Sequence, residues 1–304
     1  MAGSASAGLG LCSAAFWGGS DFAGGWGSRR APALLIVTSG QIVSGAFLVI
    51  LCFALDKPSP AAHYSLLAIV GGFEGALSLV IFYRALAIGA MGLTAALTGL
   101  LTALIPVLFS LLREGLPAPV NLAGLATGCM AIWFITHQAP ASQAPTSQVA
   151  ESQVDESQVD ESMTNHTPGA GGNALLLGTL SGIGFGCQLV LLKMASNGGV
   201  LWSLTWTRIS GVSALLLALT VLRPKAPVKA FFAIGIVAGI LDTLGNMFYV
   251  FAAQTGRLDI AALVSSLYPA GTILLAAILL RERPSRRQMA GIGLALAAVV
   301  MLSV

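Results

Sequence analysis

The chain of 304 residues is 56% hydrophobic and only 9% charged, with 36 glycines and a mean hydropathy of +0.86. That much apolar surface exceeds what one soluble core of this length would bury, which excludes an ordinary soluble globular protein. The formal net charge of +3 comes from basic residues spread over short loops, and these form no nucleic-acid face. Crossing about 30 Å of hydrocarbon takes roughly 20 apolar residues, and only helices or closed barrels satisfy their backbone there. The apolar runs are continuous rather than alternating, which predicts helices. In chain order the predicted spans are Leu9–Gly27, Pro32–Leu55, Tyr64–Ile88, Met91–Leu112, Val120–Thr136, Ala174–Met194, Leu201–Leu222, Ala230–Ala253, Leu258–Leu280 and Gln288–Val304.

The fifth and sixth spans are separated by a long polar stretch without lysine or arginine. Within it, residues 147–162 read SQVAESQVDESQVDES, a repeated pentapeptide holding five of the twelve acidic residues. A five-residue repeat advances about 500° around a helix, so its valines form no stripe. With no basic residue and few apolar ones, the tract is predicted to be a disordered linker, with a reach of roughly 30–35 Å. The expected organisation is therefore 1–137, a five-helix repeat; 138–173, an acidic linker; and 174–304, a second five-helix repeat.

The two flanking segments resemble each other. The stretch from Gly10 through Phe16-Trp17-Gly18 aligns with Gly178 through Phe185-Gly186. Ser44-Gly45 then matches Ser210-Gly211, Phe82-Tyr83 matches Phe248-Tyr249, and Leu112-Arg113-Glu114 matches Leu280-Arg281-Glu282. Because each half has an odd number of spans, the second must enter the membrane in the opposite sense, which makes an inverted repeat. The expected fold is an all-α integral membrane protein of ten transmembrane helices arranged as two inverted five-helix repeats.

These residues carry a family resemblance. The Trp17-Gly18 and Phe185-Gly186 pairs, the Pro269–Leu280 helix leading into Arg281-Glu282-Arg283-Pro284, and the small-residue run Gly291–Ala295 resemble the drug/metabolite transporter superfamily, in its ten-helix EamA type. The resemblance implies a transporter whose third and eighth helices help line a central cavity, with both termini in the cytoplasm. One departure is Pro106, eight residues before Glu114, whereas Pro269 stands thirteen before Glu282. The loop charges oppose the implied orientation. Ten basic residues on one side against four on the other put the richer side in the cytoplasm and the termini outside.

Glycine pairs at four-residue spacing, Gly124/Gly128, Gly178/Gly182 and Gly235/Gly239, predict close helix packing. The four cysteines fall inside apolar runs with no metal-ligand or disulfide spacing, and are read as buried free thiols. No cofactor or metal is expected. The N-terminus lacks a basic segment, so the first helix rather than a cleaved leader should direct insertion. Arg208 and Lys193 are read as snorkelling to the interface. The Arg113-Glu114 and Arg281-Glu282 pairs are read as helix stops, and Tyr268-Pro269 as a break or kink.

Two carboxylates inside predicted spans are singled out, Glu74 near the centre of the third and Asp242 in the eighth. Each costs about 2.5–3.5 kcal/mol at the bilayer centre on insertion scales, so each should face protein or a wet cavity. Either could hold a substrate amine or a coupling proton, or simply make a structural hydrogen bond. Asn246 and Tyr249 share a helix face with Asp242. Tyr83 is the counterpart of Tyr249, Gln188 has an uncompensated amide in an apolar run, and Trp17 could stack on a substrate or merely pack. The expected function is movement of small metabolites, as an exporter or exchanger working by alternating access and possibly coupled to protons. The expected setting is the lipid bilayer of a bacterial plasma (inner) membrane, with a small-molecule substrate and no nucleic-acid partner; oligomeric state is not legible. An enzyme is disfavoured because His63, His137 and His166 lie in loops or at helix ends and no catalytic pairing is visible. A sensor or scaffold would have only the linker as a partner surface, and no selectivity segment suggests a channel.

Overall fold

The computed structural model of the protein describes residues 2–28, 31–88, 91–136, 170–225, 228–279 and 285–303. The described residues are helical almost throughout: α1 (Ala2–Ser28), α2 (Ala33–Ala54), α3 (Ala62–Ile88), α4 (Met91–Glu114), α5 (Pro119–Thr136), α6 (Ala170–Ser196), α7 (Val200–Leu222), α8 (Val228–Thr255), α9 (Leu258–Ser265), α10 (Tyr268–Leu279) and α11 (Arg286–Ser303). Helices thus occupy all ten predicted stretches, the ninth as two pieces. The acidic tract and Arg281-Glu282 lie outside the described residues.

Five of these stretches are long and apolar enough on their own to cross a membrane: Ala33–Ala54, Ala62–Phe82, Leu176–Ser196, Val200–Leu222 and Phe232–Thr255. The helix α1 falls short in hydropathy rather than length, because glycine and serine recur along it and it packs inside the bundle against α8, α9 and α10. The outer surface is apolar, with Phe47, Ile50, Phe53, Leu217, Val221 and Ile278 exposed, while Ser6, Ser13, Thr98, Ser181 and Ser265 are buried. This reversal of the soluble pattern suits a lipid surround, where buried polar groups bond across helices. Ser6 donates to the Ala252 carbonyl, Thr98 to that of Gly178 and Ser210 to that of Ile69.

The two halves of the chain interleave. The helix α1 runs along α8, α3 along α6, α2 against α8, α3 against α7, and α4 against α6, while α2 meets α7 and α5 meets α11. Glycine sets the tightest crossings. A methyl on Gly40 in α2 would strike the Gly235 carbonyl and the Gly239 backbone of α8, and one on Gly72 in α3 would strike the Thr207 backbone of α7. Of the predicted glycine pairs, Gly124 seats Leu302, Gly128 seats Leu263 and Gly182 abuts Thr98, so these spacings serve packing.

Pro106 lies inside an unbroken α4, where it supplies no N–H to the Thr102 carbonyl. The break falls instead between α9 and α10, where Pro269 takes up the first turn of α10, a position whose N–H has no helical acceptor in any case. The cysteines are free, but only Cys52 is buried, bonded to the Thr205 hydroxyl; Cys12 is exposed on the apolar surface. Their burial was overestimated because an apolar run on a lipid-facing helix does not distinguish inside from outside.

At one end of the bundle the halves are fastened by Arg257, which precedes α9. Its guanidinium meets fully buried Asp259 at 3.0 Å and donates to the Gly115 carbonyl at 2.8 Å, and it stands 4.0 Å from the Glu114 carboxylate. Gly115 adopts a φ of 77°, the left-handed turn that ends α4 and aims this carbonyl at the arginine. Trp202 donating to the Lys57 carbonyl adds a further tie between the halves, and Gln254 donating to that of Ser196 holds α8 to α6 within the second.

Candidate functional site

A cavity with about 110 Å³ open to the centres of water molecules lies within the bundle, lined from α1, α2, α3, α4, α6, α7, α8 and α10. A smaller recess of about 50 Å³ shares Asp21, Gln41, Leu79 and Asp242 with it and runs between α1, α2 and α8 towards Gly24, Ile36 and Gly235.

The polar centre is an ion pair between Arg208 of α7 and Asp242 of α8, with 2.5 Å between a guanidinium nitrogen and Oδ2. This nitrogen makes no hydrogen bond among the described residues, so the contact is chiefly electrostatic. The Arg208 side chain is 5% exposed, whereas that of Asp242 is 32% exposed and reaches the cavity. Asn246, one turn on, donates to both Oδ1 and the backbone carbonyl of Asp242 and so fixes the carboxylate. The reading of Arg208 as a snorkelling residue is therefore corrected. It begins its third turn roughly 12 Å from the start of α7, beyond easy reach of the interface, and finds its counter-ion on the neighbouring helix.

Aromatic rings form one wall. Trp17 stacks on Tyr249 at 5.9 Å and meets Tyr268 edge-on at 6.3 Å. It can lie so close to α8 because Gly245 has no side chain. Phe82 and Phe185 pack edge to face at 5.9 Å. The amide of Gln188 sits over Gly75, where any side chain would displace it.

Of the residues singled out in the sequence, Trp17, Gln188, Asp242 and Asn246 share the cavity lining. Tyr249 is fully buried behind Trp17 and donates to the Leu189 carbonyl at 2.9 Å. Glu74 stands away from the cavity lining, on the side of α3 where its Oε1 and the Ser78 hydroxyl approach Gly184 of α6; its Oε2 has no hydrogen-bond partner among the described residues. The Tyr83 side chain lies outside the described residues. Sequence reasoning missed Asp21, Gln41 and Thr102, which line the cavity, and singled out Tyr268 only as part of a helix break, although it lines the cavity too. For Asp21 a signal was present, since it follows Trp17 by four residues and so shares its face. Among the described residues no three His, Cys, Asp or Glu side chains are grouped so as to hold a metal ion.

The apolar spanning helices and the lipid-like exterior define an all-helical integral membrane protein. Residues 172–304 match the EamA-like transporter family, in agreement with the sequence resemblance. An uncharacterized protein of Methanocaldococcus jannaschii is 25% identical over 134 residues, which cover 43% of this chain and 96% of that protein. A crystal structure with a TM-score of 0.70 and 16% identity covers 97% of this chain and 95% of its own, so the fold is shared along nearly the whole length.

Proposed function

We propose that the protein carries small polar or amphipathic metabolites across a bacterial plasma membrane by alternating access, as an exporter or exchanger, with proton exchange at buried carboxylates as its coupling route. The observation that carries this reading is a cavity within an apolar bundle that gathers Asp21, Gln188, Arg208, Asp242 and Asn246 and to which both halves of the chain contribute. The pairing of helices supports two inverted five-helix repeats, 1–137 and 174–304. Exchanging the halves turns α1–α8 into α3–α6, α2–α8 into α3–α7, and α4–α6 into the contacts of α1 with α9 and α10, while α2–α7 and α5–α11 map onto themselves. Repeats related in this way rock about a site on their shared interface.

Within this reading Asp242, Asn246, Gln188 and Trp17 contact the solute, and Tyr249 holds Trp17 in place. Glu74 serves as a proton site beside the cavity, and Tyr83 as the first-half counterpart of Tyr249. The reading is tested by counterflow with purified protein in liposomes against a mixed metabolite pool, comparing the native protein with Glu74→Gln and Asp242→Asn. Saturable exchange is expected, slowed at least ~10-fold by Asp242→Asn and altered in pH dependence by Glu74→Gln. Unchanged rates and pH dependence in both variants would remove these site assignments. Chemical alteration of a lipid or peptide without any exchange would favour an enzyme.

The segment 138–173 is proposed to act only as a connector. Replacing residues 142–162 with a Gly/Ser sequence of equal length should leave the exchange rate within about twofold of native, since both are flexible chains of sufficient reach. Loss of exchange in a correctly inserted protein would show that the acidic tract takes part.

A further inference from the structure

Three charged side chains line the cavity: Asp21, Arg208 and Asp242. Arg208 and Asp242 neutralise each other at contact distance. Asp21 has no basic partner among the described residues, yet it shares the cavity lining with Asp242 and Tyr268. The cavity therefore holds one uncompensated negative charge when its carboxylates are ionised. A carboxylate in such surroundings is stabilised by a cation brought against it.

The neighbouring surfaces suit an organic cation. Trp17 precedes Asp21 by one helical turn and Tyr268 stands edge-on to Trp17, so ring surface and carboxylate border the same space. Ammonium groups are held by such a combination, the carboxylate supplying charge and the rings supplying their negative faces. An anion would have to take Arg208 from Asp242 while facing the charge of Asp21. Asp21 also borders the adjoining recess towards Gly24 and Gly235, which places it where the two spaces meet.

We infer that Asp21 is the specificity-determining residue of this cavity and that its preferred occupant is an organic cation, whose ammonium group docks on Asp21 beside Trp17 and Tyr268. This rests on the cavity being the solute site of the proposed transporter, and it moves the cation anchor from Asp242 to Asp21.

The test is binding to purified protein, read by tryptophan fluorescence and calorimetry, of three probes of similar size and shape: 2-phenylethylammonium, uncharged 2-phenylethanol and anionic 3-phenylpropionate. Native protein should bind the cation at least ~10-fold more tightly than either of the others. Asp21→Asn should reduce cation affinity to that of the alcohol, and Asp21→Glu should retain most of the preference. The native protein alone decides the charge preference should Asp21→Asn fail to fold. Equal or tighter binding of the anion or alcohol overturns the inference, as does unchanged cation affinity in folded Asp21→Asn. Cation binding that depends on Asp21 without flux in liposomes leaves the inference standing and sinks the transport reading. Flux of uncharged or anionic solutes that ignores Asp21→Asn does the reverse.

Discussion

Replacing Arg208 with methionine should lower the thermal unfolding midpoint of the purified protein sharply and abolish exchange, and adding Asp242→Asn should recover the midpoint without restoring exchange. The buried guanidinium is the counter-ion of a carboxylate held in place by Asn246. Breaking a buried pair by removing one member costs about 3–5 kcal/mol, because the other charge is left uncompensated, whereas replacing both with neutral groups is often harmless. Asp242 reaches the cavity, so its exposed side is partly solvated and the cost should fall near 3 kcal/mol. Thermal unfolding in detergent of the four proteins in this cycle measures the coupling directly. A single variant as stable as native, or a double variant no better than the single, would show that the pair does not hold α7 to α8.

Gly40→Leu should prevent assembly of the native bundle. Its first added carbon would occupy the space of the Gly235 carbonyl and the Gly239 backbone, and main chain cannot swing aside as the tip of a side chain can. Overpacking a core costs about 1–3 kcal/mol where side chains yield, and a clash of backbone against backbone should exceed that range. Gly8→Ala and Gly293→Ala are the controls, since nothing lies within 4 Å of either added carbon. Monodispersity on gel filtration and the unfolding midpoint distinguish the cases. A native-like Gly40→Leu protein would mean that α2 and α8 separate readily.

The helices were legible because a bilayer demands long apolar runs, and few alternatives satisfy their backbone. Asp242 stood out for the same reason, as a carboxylate in an apolar stretch. Asp21 did not, because the glycines and serines of α1 make a further polar residue unremarkable. Arg208 was misread because its partner is 34 positions away, and sequence spacing alone cannot place α8 beside α7. Glu74 and Asp242 looked alike in the sequence, but the former's helix turns it towards α6 and the latter's turns it into the cavity. The break before α10 was foreshadowed by Tyr268-Pro269, since proline restricts the residue before it as well as its own position.

The Arg257 fastening has a kinetic meaning. Its guanidinium bonds to Asp259 and to the Gly115 carbonyl at once, so it joins the end of α4 in one half to the start of α9 in the other. Parting the bundle at this end requires the donor to Gly115 to let go together with the Trp202 bond to the Lys57 carbonyl. In the alternating-access cycle proposed above, opening at this end would then be a thresholded event with a waiting time, and the protein should dwell in discrete states and jump between them instead of flexing through a continuum.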